Sequence, residues 1–305
     1  MKRFFSQAKE FSENISQIAA ESYFREHNSS GLIEKQLDAG GLAVLLIANG
    51  SPNAAYAIES EHGKNLSLHE FLSMHGEGVR AIQLPDVAGR LAMLALESQA
   101  GDTFTVTDAQ NWDIKLDQWK REGWSGLVEV ISDQAHGFAL LWQGEIQKND
   151  TIFSTTDGFV SALPDGKNAW NVTTYSPSST TQGYQCMMLR LGALHWTRKI
   201  LFRYTEMVGQ KLLQTLDLEL NRQMKPWRWN IALNECDVLD AHFFPFLMDA
   251  AHAYRALFMA MGTQMNFVIG GNLTLRLLSE TFDQIHPDER AVLQSQRLIP
   301  AAFSD

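Results

Sequence analysis

A short pattern occurs twice in this chain of 305 residues. Ser30-Gly31-Leu32-Ile33-Glu34 leads through Leu42-Ala43-Val44-Leu45-Leu46-Ile47 to Asn49-Gly50; Ser125-Gly126-Leu127-Val128-Glu129 leads through Phe138-Ala139-Leu140-Leu141-Trp142 to Gln143-Gly144. A Ser-Gly step, a strand, a polar turn, an apolar strand and an Asn/Gln-Gly turn make a β-meander, because the last dipeptide supports the left-handed backbone of a tight hairpin. Phe24-Arg25 stands before the first copy as Trp119-Lys120 stands before the second, at an offset of 95. Repeated order is harder to obtain by accident than repeated composition, so two like units are expected.

Around the repeat, apolar residues at three- and four-residue steps predict a helix from Phe4 to His27. Strands follow at Leu32–Leu37, Leu42–Ala48 and Ala54–Ile58. Ser67-Leu68-His69-Glu70 has the form of a capping box opening a short helix to about His75. A strand at Val79–Leu84 leads to Pro85, which starts a helix through Ser98. Gln99-Ala100-Gly101-Asp102 reads as a boundary, with a strand at Thr103–Thr107 and a helix at Asp113–Arg121 beyond it. After the polar linker Ser178–Gly183 the pattern turns helical. Tyr184–Met224 fits one long helix or two broken around Gly209. Asp237 or Asp240 is expected to cap a helix that Gly262 closes, followed by helices at Phe267–Ile285 and Pro287–Leu298. Gly270-Gly271 either breaks the first of these or permits close approach. The fold class is therefore α+β: two repeated small meander sheets with flanking helices (1–100 and 101–183, with room for one shared sheet), then an all-α bundle (184–305).

Charge narrows the partners. The net charge of −10 lies wholly in residues 1–183, with 13 basic and 23 acidic side chains; residues 184–305 balance at 12 of each. Such a field repels phosphate, which argues against nucleic acid. No window is long and apolar enough to span a membrane, and the amino terminus lacks the pattern of a signal peptide, so a cytoplasmic protein is expected. Cys186 and Cys236 then read as reduced thiols. The one basic stretch, 184–228, has 8 basic and 3 acidic residues. It matches an anionic partner or is neutralised by the chain's own acids. Its Arg198, Lys199 and Arg203, with Trp227 and Trp229 in a Pro-containing connector expected to be partly exposed, form the candidate interaction surface.

Reactive groups are sparse. His62, His69 and His75 with Glu59, Glu61, Glu70 and Glu77 read as a solvated polar edge, since His69 and His75 point to opposite helix faces. Asp240 with His242, and Asp249 with His252, place carboxylate near imidazole, an arrangement that a structural hydrogen bond explains without a substrate. No phosphate loop or dinucleotide fingerprint occurs. No catalytic residue, cofactor or metal is therefore assigned.

The helix with its aromatic residue, Ser30-Gly31-Leu32 with Asn49-Gly50, and Ser125-Gly126-Leu127 with Gln143-Gly144 together resemble the amino-terminal domain of the PatA-type (PATAN-like) bacterial signalling proteins. The resemblance covers residues 20–175. It implies a non-catalytic regulatory or scaffolding protein that binds another protein, leaving a homo-oligomer open. Two other readings accompany it. One is a small-molecule sensor whose apolar pocket between sheet and helices is lined by methionines such as Met187, Met207, Met248, Met259 and Met265. The other is an enzyme using Asp249 and His252.

Overall fold

A computed structural model describes residues 5, 12–13, 17–38, 40–58, 63–74, 76–161, 169–227 and 229–303. It divides into two compact units, Met1–Gly183 and Tyr184–Asp305.

The first copy in the first unit runs β1 (Ser12–Glu13), α1 (Gln17–His27), β2 (Gly31–Leu37), β3 (Leu42–Ala48) and β4 (Ser51–Ile58). It continues through β5 (Gly63–Leu66), α2 (Leu68–Ser73), β6 (Gly76–Gln83) and α3 (Asp86–Glu97). The second copy is β7 (Ser98–Val106), α4 (Ala109–Glu122), β8 (Gly126–Ile131), β9 (Ala135–Trp142), β10 (Glu145–Thr155), β11 (Gly158–Val160) and β12 (Trp170–Pro177). Each forms its own antiparallel six-stranded sheet. The orders are β1-β6-β2-β3-β4-β5 and β7-β12-β8-β9-β10-β11, the same topology element for element. The duplication thus extends beyond the motif to a leading edge strand that precedes each helix and pairs with the last strand of its sheet.

The repeated residues have repeated duties. Asn49 and Gly50 have φ 49° and 76°, and Gln143 and Gly144 have φ 53° and 75°, so both pairs form two-residue hairpins with left-handed backbone. Ser30 Oγ accepts from the Asn49 N–H at 3.2 Å, and Ser125 Oγ from the Gln143 N–H at 2.9 Å. The preceding helices end alike: Ser29 N donates to Phe24 O, and Trp124 N to Trp119 O, each bridging a left-handed residue, Asn28 or Gly123. Each hairpin is then pinned to its helix end, Gly50 N donating to Ser29 O and Gly144 N to Trp124 O. A Cβ on Gly144 would lie 2.2 Å from Lys120 Cα, which is why glycine stands there.

Strand alternation sorts the side chains. Ile33, Ala43, Leu45 and Ala81 face α1 and α2 with Phe24 and Phe71. Val128, Val130, Ala139 and Leu141 pack with Trp112, Trp119 and Trp170 of the second copy. Helix α3 touches both sheets, reaching β2, β3 and β5 of one and β8, β9, β10 and β12 of the other. Its run Leu91–Leu96 is buried throughout. Polar ties complete the seating: Arg90 Nε donates to Asp150 on β10 at 2.8 Å, and Glu97 accepts from the Tyr56 hydroxyl on β4 at 2.9 Å.

The second unit contains α5 (Gln182–Val208), α6 (Gln210–Met224), a 3-10 turn (Lys225–Trp227), β13 (Ile231–Asn234) and β14 (Asp237–Asp240). Then come α7 (Leu247–Ile269), α8 (Gly271–Phe282) and α9 (Pro287–Ser295). Trp196 is fully buried at its centre, its ring against Phe258 and Phe282 and its N–H donated to Thr281 at 3.1 Å.

The α+β class holds, and several boundaries differ from expectation. Ser12–Glu13 is a strand rather than part of one helix from Phe4, α1 spans Gln17–His27, and positions 4, 6–11 and 14–16 lie outside the described residues. Gln99–Asp102, read as a boundary with a strand from Thr103, lies within β7, the strand that opens the second copy, and Gln99 and Ala100 pair with Ser176 and Tyr175 of β12. The carboxyl-terminal region is not purely helical: Asp237 and Asp240 belong to a hairpin, and the helix begins only after Pro245, at Leu247. Gly262 does not close that helix; a Cβ there would meet the Phe303 carbonyl oxygen at 2.2 Å, so it admits the end of the chain. The breaks fall at Gly209 and Gly270, with φ 83° and 80°.

Candidate functional site

Three of the five residues assigned to the interaction surface meet in one cleft of the second unit. Arg198, Lys199, Phe202, Arg203 and Glu206 of α5 form one wall, and Glu280 with Gln284 at the end of α8 form another. Cys236 in the β13–β14 turn closes it, leaving a volume of about 590 Å³. Lys199, Phe202, Arg203 and Glu206 follow i, i+3, i+4 and i+7 spacing, which places them on one helix face.

The turn is held by polar side chains of α6. Asn221 Oδ1 accepts from Leu233 N at 2.9 Å and its Nδ2 donates to Leu233 O at 2.8 Å, so one amide substitutes for a neighbouring strand. Asp217 Oδ2 accepts from Glu235 N at 2.6 Å, securing a residue at φ 57°. Burial, with the Glu235 charge adding to it, raises the Asp217 pKa from 3.8 to about 6 despite that hydrogen bond. Cys236 Sγ sits 3.7 Å from Thr205 Oγ1, and both cysteines are free thiols.

Ion pairs within the unit engage four of the eight basic residues of the segment, all of them arginines. Arg190 lies 3.8 Å from Asp240, Arg198 pairs with Asp237 at 3.3 Å, Arg203 with Glu206 at 2.7 Å and Arg222 with Glu219 at 2.7 Å. The bonded Glu206 carboxylate holds the Arg203 pKa above its ordinary value, and nearby Glu280 adds to this. Arg276 in turn keeps the Glu280 carboxyl low.

The tryptophans part company. Trp227 is 52% exposed on its 3-10 turn, as expected. Trp229, expected to be partly exposed, is buried instead: its ring packs on Tyr254 and Phe244 and its N–H reaches Asp240 at 3.3 Å. Asp240 also accepts from the Tyr254 hydroxyl and from the backbone N–H of His242, so the Asp240–His242 proximity is structural. Asp249 and His252 stand exposed on α7, outside the cleft lining. The methionines scatter: Met261 and Met265 are core, whereas Met207, Met248 and Met259 are exposed. His62, His75, Glu59 and Glu61 lie outside the described residues, and Glu70 closes the capping box with Ser67. Among the described residues no group of three or more His, Cys, Asp or Glu is placed to hold a metal ion.

A buried polar layer in the first unit was not foreseen. Glu34 pairs with Arg80 at 2.9 Å, and Glu129, its counterpart in the second copy, bonds His136 at 2.7 Å and the Tyr175 hydroxyl at 2.8 Å. Phe5 bridges the two, its carbonyl accepting from Arg80 and its ring against His136 and Phe138. A carboxylate so deep needs a paired partner. The signal was available: both glutamates share the strand face of Leu32 or Leu127.

No protein-family model matches the chain, and neither a curated protein nor a solved structure matches it.

Proposed function

We propose that this chain is a non-catalytic regulatory or scaffolding protein of the bacterial cytoplasm that works through binding surfaces, with the helical unit carrying the partner face. The observation that supports this is where apolar surface is left in water. Of nineteen exposed large hydrophobic residues among those described, fourteen belong to the helical unit, although it is the smaller of the two. Helix α7 shows it most clearly. Asp249 and Arg255 are the only acidic or basic residues, histidine aside, in its 23 positions. It buries Tyr254, Phe258, Met261 and Met265, and its other side still presents Met248, Met259 and Phe267, the last 81% exposed.

A helix apolar on all sides normally lies inside a core, and exposed apolar patches of this kind mark contact surfaces. Because the described arginines of the basic segment are met by acids of their own unit, the apolar face rather than charge carries the reading. No described helix is long and apolar enough to cross a membrane.

The test places a photo-crosslinking residue at position 259 or 267 of the full chain in its native cells, with Lys148, exposed on β10, as the control position. The expected outcome is a discrete adduct from 259 and 267 that Lys148 does not give. Absence of adducts from α7, or the same adduct from all three positions, refutes the proposal.

A further inference from the structure

The cleft beside α5 has a property that the partner face does not explain. Among the described residues of the basic segment, Lys199, Lys211 and Lys225 have no acidic partner within ion-pair distance. Lys211 and Lys225 stand exposed, where water solvates an ammonium fully. Lys199 is half-buried in the cleft wall. The Lys199 ammonium therefore has no counter-charge from the protein in this cleft, and an anion entering it supplies one.

The neighbours define what kind of anion. Arg198 spends Nε on Asp237 and Nη2 on the Val238 carbonyl, leaving Nη1 to donate. Arg203 and Glu280 are each matched, by Glu206 and Arg276. One positive charge therefore remains uncompensated, while a second negative charge on a ligand would meet the Glu206–Glu280 edge. Phe202, 59% exposed in the same wall, offers an apolar surface. The volume of about 590 Å³ falls within the range of small-molecule sites.

We infer that this cleft binds a small amphipathic monocarboxylate, its acid group on Lys199 and Arg198 and its apolar body on Phe202. This goes beyond the proposed function, since it needs neither a partner protein nor α7.

The test uses the full chain and two probes of one shape, naphthalene-2-carboxylate and the neutral naphthalene-2-carboxamide, titrated by calorimetry. The carboxylate should bind saturably at one site, with the amide weaker by about tenfold or more, the ratio expected of one charge-assisted contact. Lys199→Met should weaken the acid by about tenfold and leave the amide unchanged, Phe202→Ser should weaken both, and Lys211→Met should change neither. In a Cys186→Ala background, saturating carboxylate should slow alkylation of Cys236 by iodoacetamide, which places the probe in the cleft without perturbing its wall. Equal binding of the two probes, an unaffected Lys199→Met, or Cys236 alkylated at the same rate with and without ligand overturns the inference. So does tighter binding of the blocked peptide acetyl-Gly-Glu-Phe-Gly-amide than of the free acid, which would assign the cleft to an acidic protein segment. A failed photo-crosslink at α7 leaves these measurements untouched, so the two claims fail separately.

Discussion

Replacing Asp217 with Asn should stabilise the helical unit at neutral pH and do nothing for it in acid. Asp217 is only 6% exposed; one carboxylate oxygen accepts from Glu235 N and the other is buried without a hydrogen-bond partner. Burial lifts its pKa from 3.8 to about 6. Between those two values the folded protein holds a proton that the unfolded chain releases, so stability falls as pH rises through this window, and the full penalty persists above it. A shift of roughly two units corresponds to about 3 kcal/mol at most, and relaxation around the site brings the expected gain to about 1–2 kcal/mol. Asparagine keeps the acceptor for Glu235 N and cannot ionise. Urea unfolding followed by circular dichroism at 222 nm, at pH 7.5 and at pH 3.5, reads the difference. An equal gain at both pH values, or none at pH 7.5, refutes the reasoning.

Other perturbations address the duplicated unit. Arg80→Met removes the ion pair of the buried Glu34 carboxylate and should cost about 3–5 kcal/mol in chemical denaturation, whereas Glu34→Met with Arg80→Met should recover most of it. Ser125→Ala removes one turn hydrogen bond and should cost about 0.5–1 kcal/mol. Ser30→Ala should cost about 1–2 kcal/mol, because Ser30 Oγ also donates to Asp86 at 2.6 Å. Those two losses should add, the two serines sharing no hydrogen-bond partner. Gly144→Ala forces a Cβ into the backbone of α4 and should cost more than about 3 kcal/mol, while Gly123→Ala, with open space around it, should cost about 1–2 kcal/mol by thermal melting.

What could be read from the chain follows from the range of the forces involved. The hairpins at Asn49-Gly50 and Gln143-Gly144, the capping box at Ser67 and the proline-led starts of α3 and α9 are local chemistry, and each stands where the pattern put it. Gln99–Asp102 misled because its small polar residues suit a loop, yet β12 offers them a ladder that no local signal reports. Asp237 and Asp240 resemble helix caps, but a hairpin takes them, held by Asn221 from another helix. The same limit applies to function. Arg198, Lys199 and Arg203 were visible as a basic run, whereas the arrival of Glu280 and Cys236 beside them depends on how α8 and the hairpin turn pack. For Trp229 the Pro-containing connector suggests exposure, whereas the fold places Tyr254 against its ring.

Helix α3 is wrapped on two sides by the sheets of the two copies in the first unit. A fragment ending near residue 97 would own the helix but only one of its wrappings, and the run Leu91–Leu96 would then face water along the side that β8, β9 and β10 now cover. Such a half could not persist as a lone soluble particle; it would have to recruit a second half, whether supplied in trans or by a twin of itself.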